Sequence, residues 1–380
     1  MSLSSKEHVL NYLPGYTESP HLPLLALVSL AISSVLLYPY IGWLKKFQIQ
    51  QYLREDGPKS HAHKAKTPTS GGVCIILASF ITMVIWMVCF EKALDKYVAL
   101  VFVWGLVCGI VGLLDDMAKV MQKANKGVSG KVRLGIETVV GLGLGFLLYQ
   151  TGTTLYFPAH TVTAPSTVFV QGHHAGLFFY LIFGAFLTAA TSNAVNLHDG
   201  MDGLAAGTSS LVFATMVFIF LATGQTNFAV MSAIMAGAVM GFLLWNRNPA
   251  AVFMGDTGSL FIGGIMAALV IAGGIVIWFV PLSLIYIAEA LSVMAQVSYY
   301  KLTKPYTPEK PMSTPQLVIY KLTHKLPGEG KRIFRMAPLH HHFEAVLGEK
   351  GVAEWQVVVM FWIAQFILCL GVLGFLYFWR

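Results

Sequence analysis

Long runs of apolar residues, separated by short polar segments, make up most of the chain. A helix needs about 20 apolar residues to cross the hydrocarbon core of a bilayer. Ten runs approach this length and predict transmembrane helices: 22–44, 71–90, 97–114, 134–150, 175–195, 204–222, 227–245, 259–279, 281–300 and 355–379. Only Pro281 separates the eighth run from the ninth, so a helix break is expected there. The pattern predicts an all-α polytopic membrane protein, with residues 1–380 as a single integral membrane domain.

The composition supports this class. Hydrophobic residues make up 56% of the chain and charged residues only 11%, whereas soluble domains carry about 25% charged residues. A soluble globular protein is therefore excluded. We expect membrane lipid as a partner and no nucleic acid.

The basic residues predict the orientation in the membrane. Alternate loops hold 21 of the 25 Lys and Arg, and the loop 151–174 between them holds none. Because loops rich in Lys and Arg stay on the cytoplasmic side, this distribution predicts cytoplasmic basic loops and periplasmic termini. The basic loops that set the topology account for most of the net charge of +7. The same positive charge would also attract anionic substrates to a site at that face.

If this topology holds, the polar clusters converge on the cytoplasmic face. They occupy the ends of the third, fifth and seventh runs, the start of the eighth and the last basic loop. Such convergence of segments far apart in sequence predicts a cleft at that face. Five prolines in 304–330 indicate a cytoplasmic loop, with a short strand or helix expected near 316–322.

Asp115 and Asp116 form an acidic pair at the end of the third run. The helix dipole disfavours anions at a C-terminus, and adjacent carboxylates repel each other. A positive group should compensate. Lys119, one turn later, is one candidate, and a metal ion or a bound cationic group is the other.

Asp256 stands between two glycines just before the eighth run. It could cap the helix N-terminus. Alternatively, Gly255 and Gly258 let backbone N–H groups approach an anion. A diphosphate bridged by Mg²⁺ would suit that geometry, because Mg²⁺ takes few protein carboxylates. Phe253 could stack on a base or simply pack.

The stretch NAVNLHDGMDG, 193–203, ends the fifth run. Asn193 and Asn196 share a helical face, and Asp199 follows at the same interval. Helix C-capping explains one Asn and one Gly, but it leaves the remaining amide and acids unexplained.

Three further features involve histidines and buried acids. Three consecutive histidines, 340–342, cannot all face one ion from a regular helix, and they suit donation to phosphate oxygens better. Glu137 and Glu289 are the acids well within runs. We expect Glu137 to reach water and Glu289 to pair with Ser292 or Gln296.

Four motifs, LLDDMAK, NAVNLHDGMDGLA, FMGDTGSL and RMAPLHHHFE, resemble the cytoplasmic motifs of the polyprenyl-phosphate N-acetylhexosamine-1-phosphate transferase superfamily. The histidine motif and GPKSHAHKAKTPTSGG resemble the branch that acts on phospho-N-acetylmuramoyl-pentapeptide. The similarity covers nearly the whole chain. It departs from the pattern at His198, where Thr is expected, at Ser70, where Met is common, and at 304–330, which resembles an insertion.

The resemblance implies an activity: transfer of phospho-N-acetylmuramoyl-pentapeptide from its UDP carrier to undecaprenyl phosphate, yielding lipid I and UMP. It further implies Mg²⁺, a bacterial inner membrane and a homodimer. Carried over by motif, Asp115, Asp116 and Asp256 are the catalytic positions, Asp256 also binding the metal. The implied substrate-binding positions are Lys66, Lys119, Lys131, Asn193, Asn196, Asp199, Asn246, Phe253, Gly255, His340, His341 and His342.

Two alternatives remain open. A sister enzyme would transfer N-acetylglucosamine 1-phosphate from UDP-N-acetylglucosamine to the same class of lipid; the HHHFE segment argues against it. A secondary transporter would place its polar residues near the bilayer midplane on broken helices, whereas here they gather at one face.

Overall fold

The computed structural model describes residues 21–47, 49, 67–91, 95–122, 127–151, 175–308 and 312–378. Within these ranges the regular structure is helical and contains no strand, which confirms the all-α prediction. The α-helices described are α1 (Leu22–Lys46), α2 (Gly72–Trp86), α3 (Lys96–Gln122), α4 (Gly130–Thr151), α5 (Ala175–His198), α6 (Leu204–Ala222), α7 (Thr226–Asn246), α8 (Gly255–Ala272), α9 (Val276–Leu282), α10 (Leu284–Leu302), α11 (Thr314–Thr323), α12 (Leu339–Gly348) and α13 (Glu354–Phe378).

Eight of the described helices are long and apolar enough to cross a membrane: α1, α2, α3, α5, α6, α7, α8 and α13. The pair α9 and α10 makes a ninth if the two form one bent span. The other predicted span, 134–150, lies in α4, which carries Lys131, Arg133 and Glu137 in its first turns and does not belong to this set. The multi-pass membrane character therefore stands, and the sidedness of the loops stays a prediction.

The helix breaks twice between the eighth and ninth runs: just after Pro281, as expected, and at a glycine turn before it, which was not expected. Helix α8 ends at Ala272, and the chain turns at Gly273 and Gly274, where Gly274 has a φ of 66°. Pro281 lies inside the short helix α9, and a 67° bend separates α9 from α10. The turn precedes the proline because glycine adopts a left-handed conformation at no steric cost.

Helix α8 lies at the centre of the bundle and is almost completely buried. Glycines let its neighbours approach closely, as small residues do between membrane helices. A Cβ at Gly112 of α3 would collide with the backbone of Asp256, and one at Gly263 of α8 would collide with the backbone of Ser192 in α5. The start of α8 is thereby held between the polar ends of α3 and α5.

Helix α11 confirms that the proline-rich segment contains a short helix. Ser313 and Gln316 form a capping box at its start, each accepting the backbone N–H of the other. Such boxes satisfy two of the backbone N–H groups that a helix N-terminus leaves without partners. That 304–330 is an insertion stays a prediction.

Candidate active site

Three carboxylates meet where α3 and α8 come together. Asp115 and Asp116 lie in the last two turns of α3, and Asp256 is the second residue of α8. One oxygen from each lies within 4.8 Å of the other two. Met254 holds the N-cap position, and its side chain caps no N–H, so Asp256 is not the helix cap. Its carboxylate is available to face the acidic pair.

Asp116 accepts hydrogen bonds on both oxygens. Its Oδ1 accepts the N–H of Asp256 at 3.0 Å, and its Oδ2 accepts the N–H of Thr257 at 3.1 Å. The hydroxyls of Thr257 and Ser70 also donate to Oδ2, at 2.6 and 3.1 Å. Because these donors lie at the start of α8 and before α2, Asp116 fixes the position of Asp256.

Asp115 has a different environment. Its Oδ1 accepts the N–H of Val128 at 2.7 Å, and its Oδ2 lies 2.6 Å from Lys119 Nζ. Lys119 also donates to Asp256 at 2.9 Å. The lysine expected to compensate the acidic pair therefore bridges α3 and α8.

Arg133 of α4 is the second cation of the group. Its guanidinium donates to Asp256 Oδ2 at 3.2 Å and to Asn193 Oδ1 at 2.7 Å. The sequence interpretation did not name Arg133; it named Lys131, which is exposed and whose role stays a prediction. Two residues along a helix differ by about 200° in direction, and the phase of α4 turns Arg133 inward. The i, i+4 spacing to Glu137 was the available signal.

The two amides of α5 complete the network. Asn196 donates to Asp256 Oδ1 at 2.8 Å and to Ser259 at 2.9 Å. Asn193 donates to Glu137. Glu137 is buried, so the expectation that it reaches water is wrong. The shared face of Asn193 and Asn196 is thus confirmed, and neither side chain acts as a helix cap in these contacts.

The group carries an excess of negative charge and is open to a ligand. Four acids, Asp115, Asp116, Glu137 and Asp256, face two cations. The side chains of Lys119, Arg133 and Asp256 are 27%, 20% and 15% exposed. Carboxylate oxygens are the ligands that Mg²⁺ prefers, and the three aspartates fit a divalent cation by donor type, spacing and charge. The cations suit phosphate oxygens.

Asp199 follows α5 and is half-buried. Its carboxylate has no hydrogen-bond or ion-pair partner in the described part of the chain. Burial raises the pKa of Asp199 to about 8, and the charges of neighbouring aspartates, Asp256 first, add to the shift. A carboxyl group in this situation favours a cationic or hydrogen-bonding ligand.

Three of the predicted positions shape the backbone of the site. Asn246 is buried, accepts the N–H of Gly203 at 3.0 Å and donates to the carbonyl of Val252 at 2.9 Å. Gly255 has a φ of 73°, and a Cβ there would collide with Asp116. Phe253 is half-buried, and its N–H donates to the carbonyl of Pro68 at 2.8 Å.

The three histidines point to different partners. His340 is fully buried, whereas His341 lies 2.9 Å from Glu344 and His342 Nδ1 accepts the N–H of Arg335 at 3.2 Å. This agrees with the argument against a single ion. A Cβ at Gly200 would collide with the His340 ring, so the histidine motif lies directly beside the end of the asparagine motif.

Glu289 holds the histidine motif in place. Its Oε1 lies 3.3 Å from His198 Nδ1 and 3.2 Å from His340 Nδ1, and it accepts the N–H of His340 at 3.2 Å. The carboxylate does not pair with Ser292 or Gln296 as expected: Ser292 donates to the backbone carbonyl of Glu289 at 2.7 Å, and Gln296 binds backbone groups of residues 333 and 334. Burial lowers the pKa of His340, the Glu289 carboxylate opposing the shift.

Lys66 lies outside the described residues, so its role stays a prediction. Sequence reasoning missed Arg133, Thr257 and the pairing of His198 with Glu289. The departure from Thr at 198 was the one signal for that pairing.

Comparison with known proteins identifies relatives along most of the chain. Residues 98–274 match glycosyl transferase family 4. The phospho-N-acetylmuramoyl-pentapeptide-transferase of Bacillus pumilus (strain SAFR-032) is 38% identical over 90% of this chain and 93% of its own length. The proteins of the same name from Bacillus subtilis (strain 168) and Staphylococcus aureus (strain bovine RF122) are 37% and 36% identical, over 90% and 89% of this chain and 93% and 94% of their lengths.

The motifs LLDDMAK, NAVNLHDGMDGLA, FMGDTGSL and RMAPLHHHFE lie in or beside the structural group described above, and the matched relatives span nearly the same length. The chain belongs to the phospho-N-acetylmuramoyl-pentapeptide-transferase family, within glycosyl transferase family 4.

Proposed function

We propose that the chain transfers phospho-N-acetylmuramoyl-pentapeptide from its UDP carrier to undecaprenyl phosphate, yielding lipid I and UMP. The observation that carries this proposal is the meeting of Asp115, Asp116 and Asp256 with Lys119 and Arg133 in a membrane protein. A lipid acceptor accounts for the membrane, and a diphosphate donor accounts for the two cations. The name shared by the relatives supports the donor.

In this reaction an oxygen of the lipid phosphate forms a bond to the phosphorus that carries the sugar. The bond from that phosphorus to the bridging oxygen breaks, and this oxygen leaves with UMP. Phosphoryl transfer depends mainly on positioning and charge stabilisation. Lys119 and Arg133 would hold the diphosphate oxygens and stabilise the charge that develops on the leaving phosphate.

The aspartates take separate roles in the proposal. Asp115 orients the lipid phosphate or accepts its proton. Asp116 positions Asp256, because donors from the start of α8 occupy both of its oxygens. Mg²⁺ held by Asp256 and its neighbours would neutralise diphosphate oxygens.

The remaining positions surround the donor. Asn193 and Asn196 orient Arg133 and Asp256. Asp199, His341 and His342 would bind donor groups next to the diphosphate, and Phe253 would stack on the uracil. His340 is buried against Glu289 and would hold this segment in place. Asn246 and Gly255 shape the loops that carry these side chains. The Lys and Arg distribution supports a site facing the cytoplasm from the bacterial inner membrane.

A matched pair of Asp→Asn variants tests the function. We would purify the wild type, Asp256→Asn and Asp95→Asn, supply both substrates, and measure UMP release with and without Mg²⁺. Asp95 accepts two N–H groups near the first turn of α3. It lies 20 residues before Asp115, about 30 Å along the helix.

We expect UMP release that needs Mg²⁺, persists in Asp95→Asn and falls at least 100-fold in Asp256→Asn. Release only with UDP-N-acetylglucosamine would reassign the chain to the sister enzyme. If folded wild type turns over neither donor, the transferase proposal fails and nucleotide-sugar uptake into proteoliposomes tests transport.

A further inference from the structure

A second cationic region lies away from the carboxylate group, at the far end of α10. A cavity of about 500 Å³ opens between the last turns of α10 and the segment that follows α11. Four cations line it, Lys301, Lys304, Lys325 and Arg332, together with Tyr300. Lys301 is 12 residues from Glu289, about 18 Å along the helix. The cavity is therefore distinct from the candidate active site.

The cations of this cavity are not neutralised by acids. Lys301 donates to the carbonyl of Leu322 at 2.8 Å, and Lys304 donates to the carbonyl of Leu326 at 2.7 Å. These bonds tie the segment to α10, but each ammonium has three donors. Among the described residues, no ion pair joins any of the four cations to a carboxylate. The cavity therefore offers unused donors and a positive potential.

Exposed apolar surface adjoins this cavity. The adjoining face of α10 exposes Leu291, Met294 and Val297, so the helix presents an apolar surface up to the cationic turn. Val318 and Ile319 of α11 are exposed as well. Apolar side chains beside a cluster of Lys and Arg are typical of a segment at the level of lipid headgroups.

We propose that this cavity binds the phosphate headgroup of an anionic phospholipid, with Val318 and Ile319 of α11 in contact with the acyl region. Lys325 and Arg332 would bind the phosphate, since neither side chain donates a hydrogen bond to another of the described residues. A lipid is favoured over a free phosphate because the cavity adjoins the apolar face of α10. This proposal holds whether or not the transferase function is correct.

Native mass spectrometry of the full-length protein tests the proposal. Purified protein in detergent would be titrated with dioleoylphosphatidylglycerol and, separately, with dioleoylphosphatidylcholine. The test variant is Lys325→Gln with Arg332→Gln. The matched control is Lys325→Arg with Arg332→Lys, which keeps both positive charges at the cavity.

The wild type should retain phosphatidylglycerol in preference to phosphatidylcholine. Each cation near a lipid surface contributes roughly a fivefold factor in affinity. The test variant should therefore bind phosphatidylglycerol about 25-fold more weakly, and the control should match the wild type. If the double variant does not fold, Lys325→Gln alone should show the fivefold loss.

Two further arms distinguish the source of the phosphate and the role of α11. Millimolar inorganic phosphate should not displace the lipid; displacement would assign the cavity to a free anion. Val318→Gln with Ile319→Gln should weaken retention of the lipid without creating phosphate binding. Equal retention by the test and control variants would overturn the proposal.

Discussion

Two groups of ionisable side chains contact the end of helix α5, through residues that are two positions apart. Asn196 belongs to the group of Asp115, Asp116 and Asp256, and His198 belongs to the group of Glu289 and His340. Two residues on a helix point about 200° apart. The same helix end therefore supports two clusters of different character.

The clusters differ in access and charge. The aspartate group contains Lys119 and Arg133, and several of its side chains are partly exposed. The side chains of Glu289, His198 and His340 are all 0% exposed. A buried carboxylate that binds two imidazoles and a backbone N–H joins chain segments, whereas partly exposed charges remain available to a ligand. Access, more than residue type, separates a binding site from a structural cluster.

The largest expected effect is a loss of transferase activity on changing the partly exposed aspartate group. Lys119→Met removes the cation shared by Asp115 and Asp256, and the donor diphosphate loses a charged partner. We expect UMP release to fall 100- to 1000-fold. Lys45→Met, at the exposed end of α1, should retain wild-type release. A loss below tenfold at Lys119 would assign the diphosphate to other cations.

Changes in the buried group of Glu289, His198 and His340 should lower the stability of the fold. Glu289→Gln leaves two buried imidazoles and the His340 N–H without their carboxylate, and this should lower the free energy of unfolding by about 1–3 kcal/mol. Thermal unfolding in detergent measures it. Glu344→Gln changes another acid that contacts a histidine, on the partly exposed side of α12, and should cost less. Equal shifts for the two variants would contradict a special role for Glu289.

Between the clusters, Asp199 should make stability depend on pH. Its pKa is raised to about 8, so the folded protein keeps a proton that the unfolded chain loses near pH 4. The contribution is present below pH 4 and is lost as pH rises through about 8. The Tm should fall by about 2 °C or more from pH 5 to pH 8, relative to Asp199→Asn. Asp95→Asn should follow the wild-type slope; a slope shared by Asp199→Asn would exclude Asp199 as its source.

The smallest expected effect is on stability, and it tests how much His198 contributes to the buried group of Glu289, His198 and His340. His198→Thr removes one imidazole from Glu289 while His340 keeps both of its contacts, and it should cost about 1 kcal/mol or less. Combined with Glu289→Gln, the change should be non-additive, because the residues share a contact. Additive shifts in thermal unfolding would show that His198 packs independently.

Much of the candidate site could be predicted because helices fix local geometry. Asp115 and Lys119 meet because they are four residues apart, and Asn193 and Asn196 share a face because they are three apart. Arg133 was missed because helix phase depends on which side packs inward, and the role of Lys131 stays a prediction. The bend beside Pro281 was predicted, but the glycine turn before α9 was missed because it lies within a continuous apolar run.

The amino-acid pattern alone was enough to predict the membrane class, the positions of most long helices and the residue types gathered at their ends. Apolar run length and local spacing are enough for these, since they depend on neighbours within a few turns. The contacts of Glu289 with His340, 51 residues away, and of Arg133 with Asp256, 123 residues away, depend instead on how the helices pack in space. Those partners follow from how glycine-lined helices pack around α8, which no local pattern along the chain encodes.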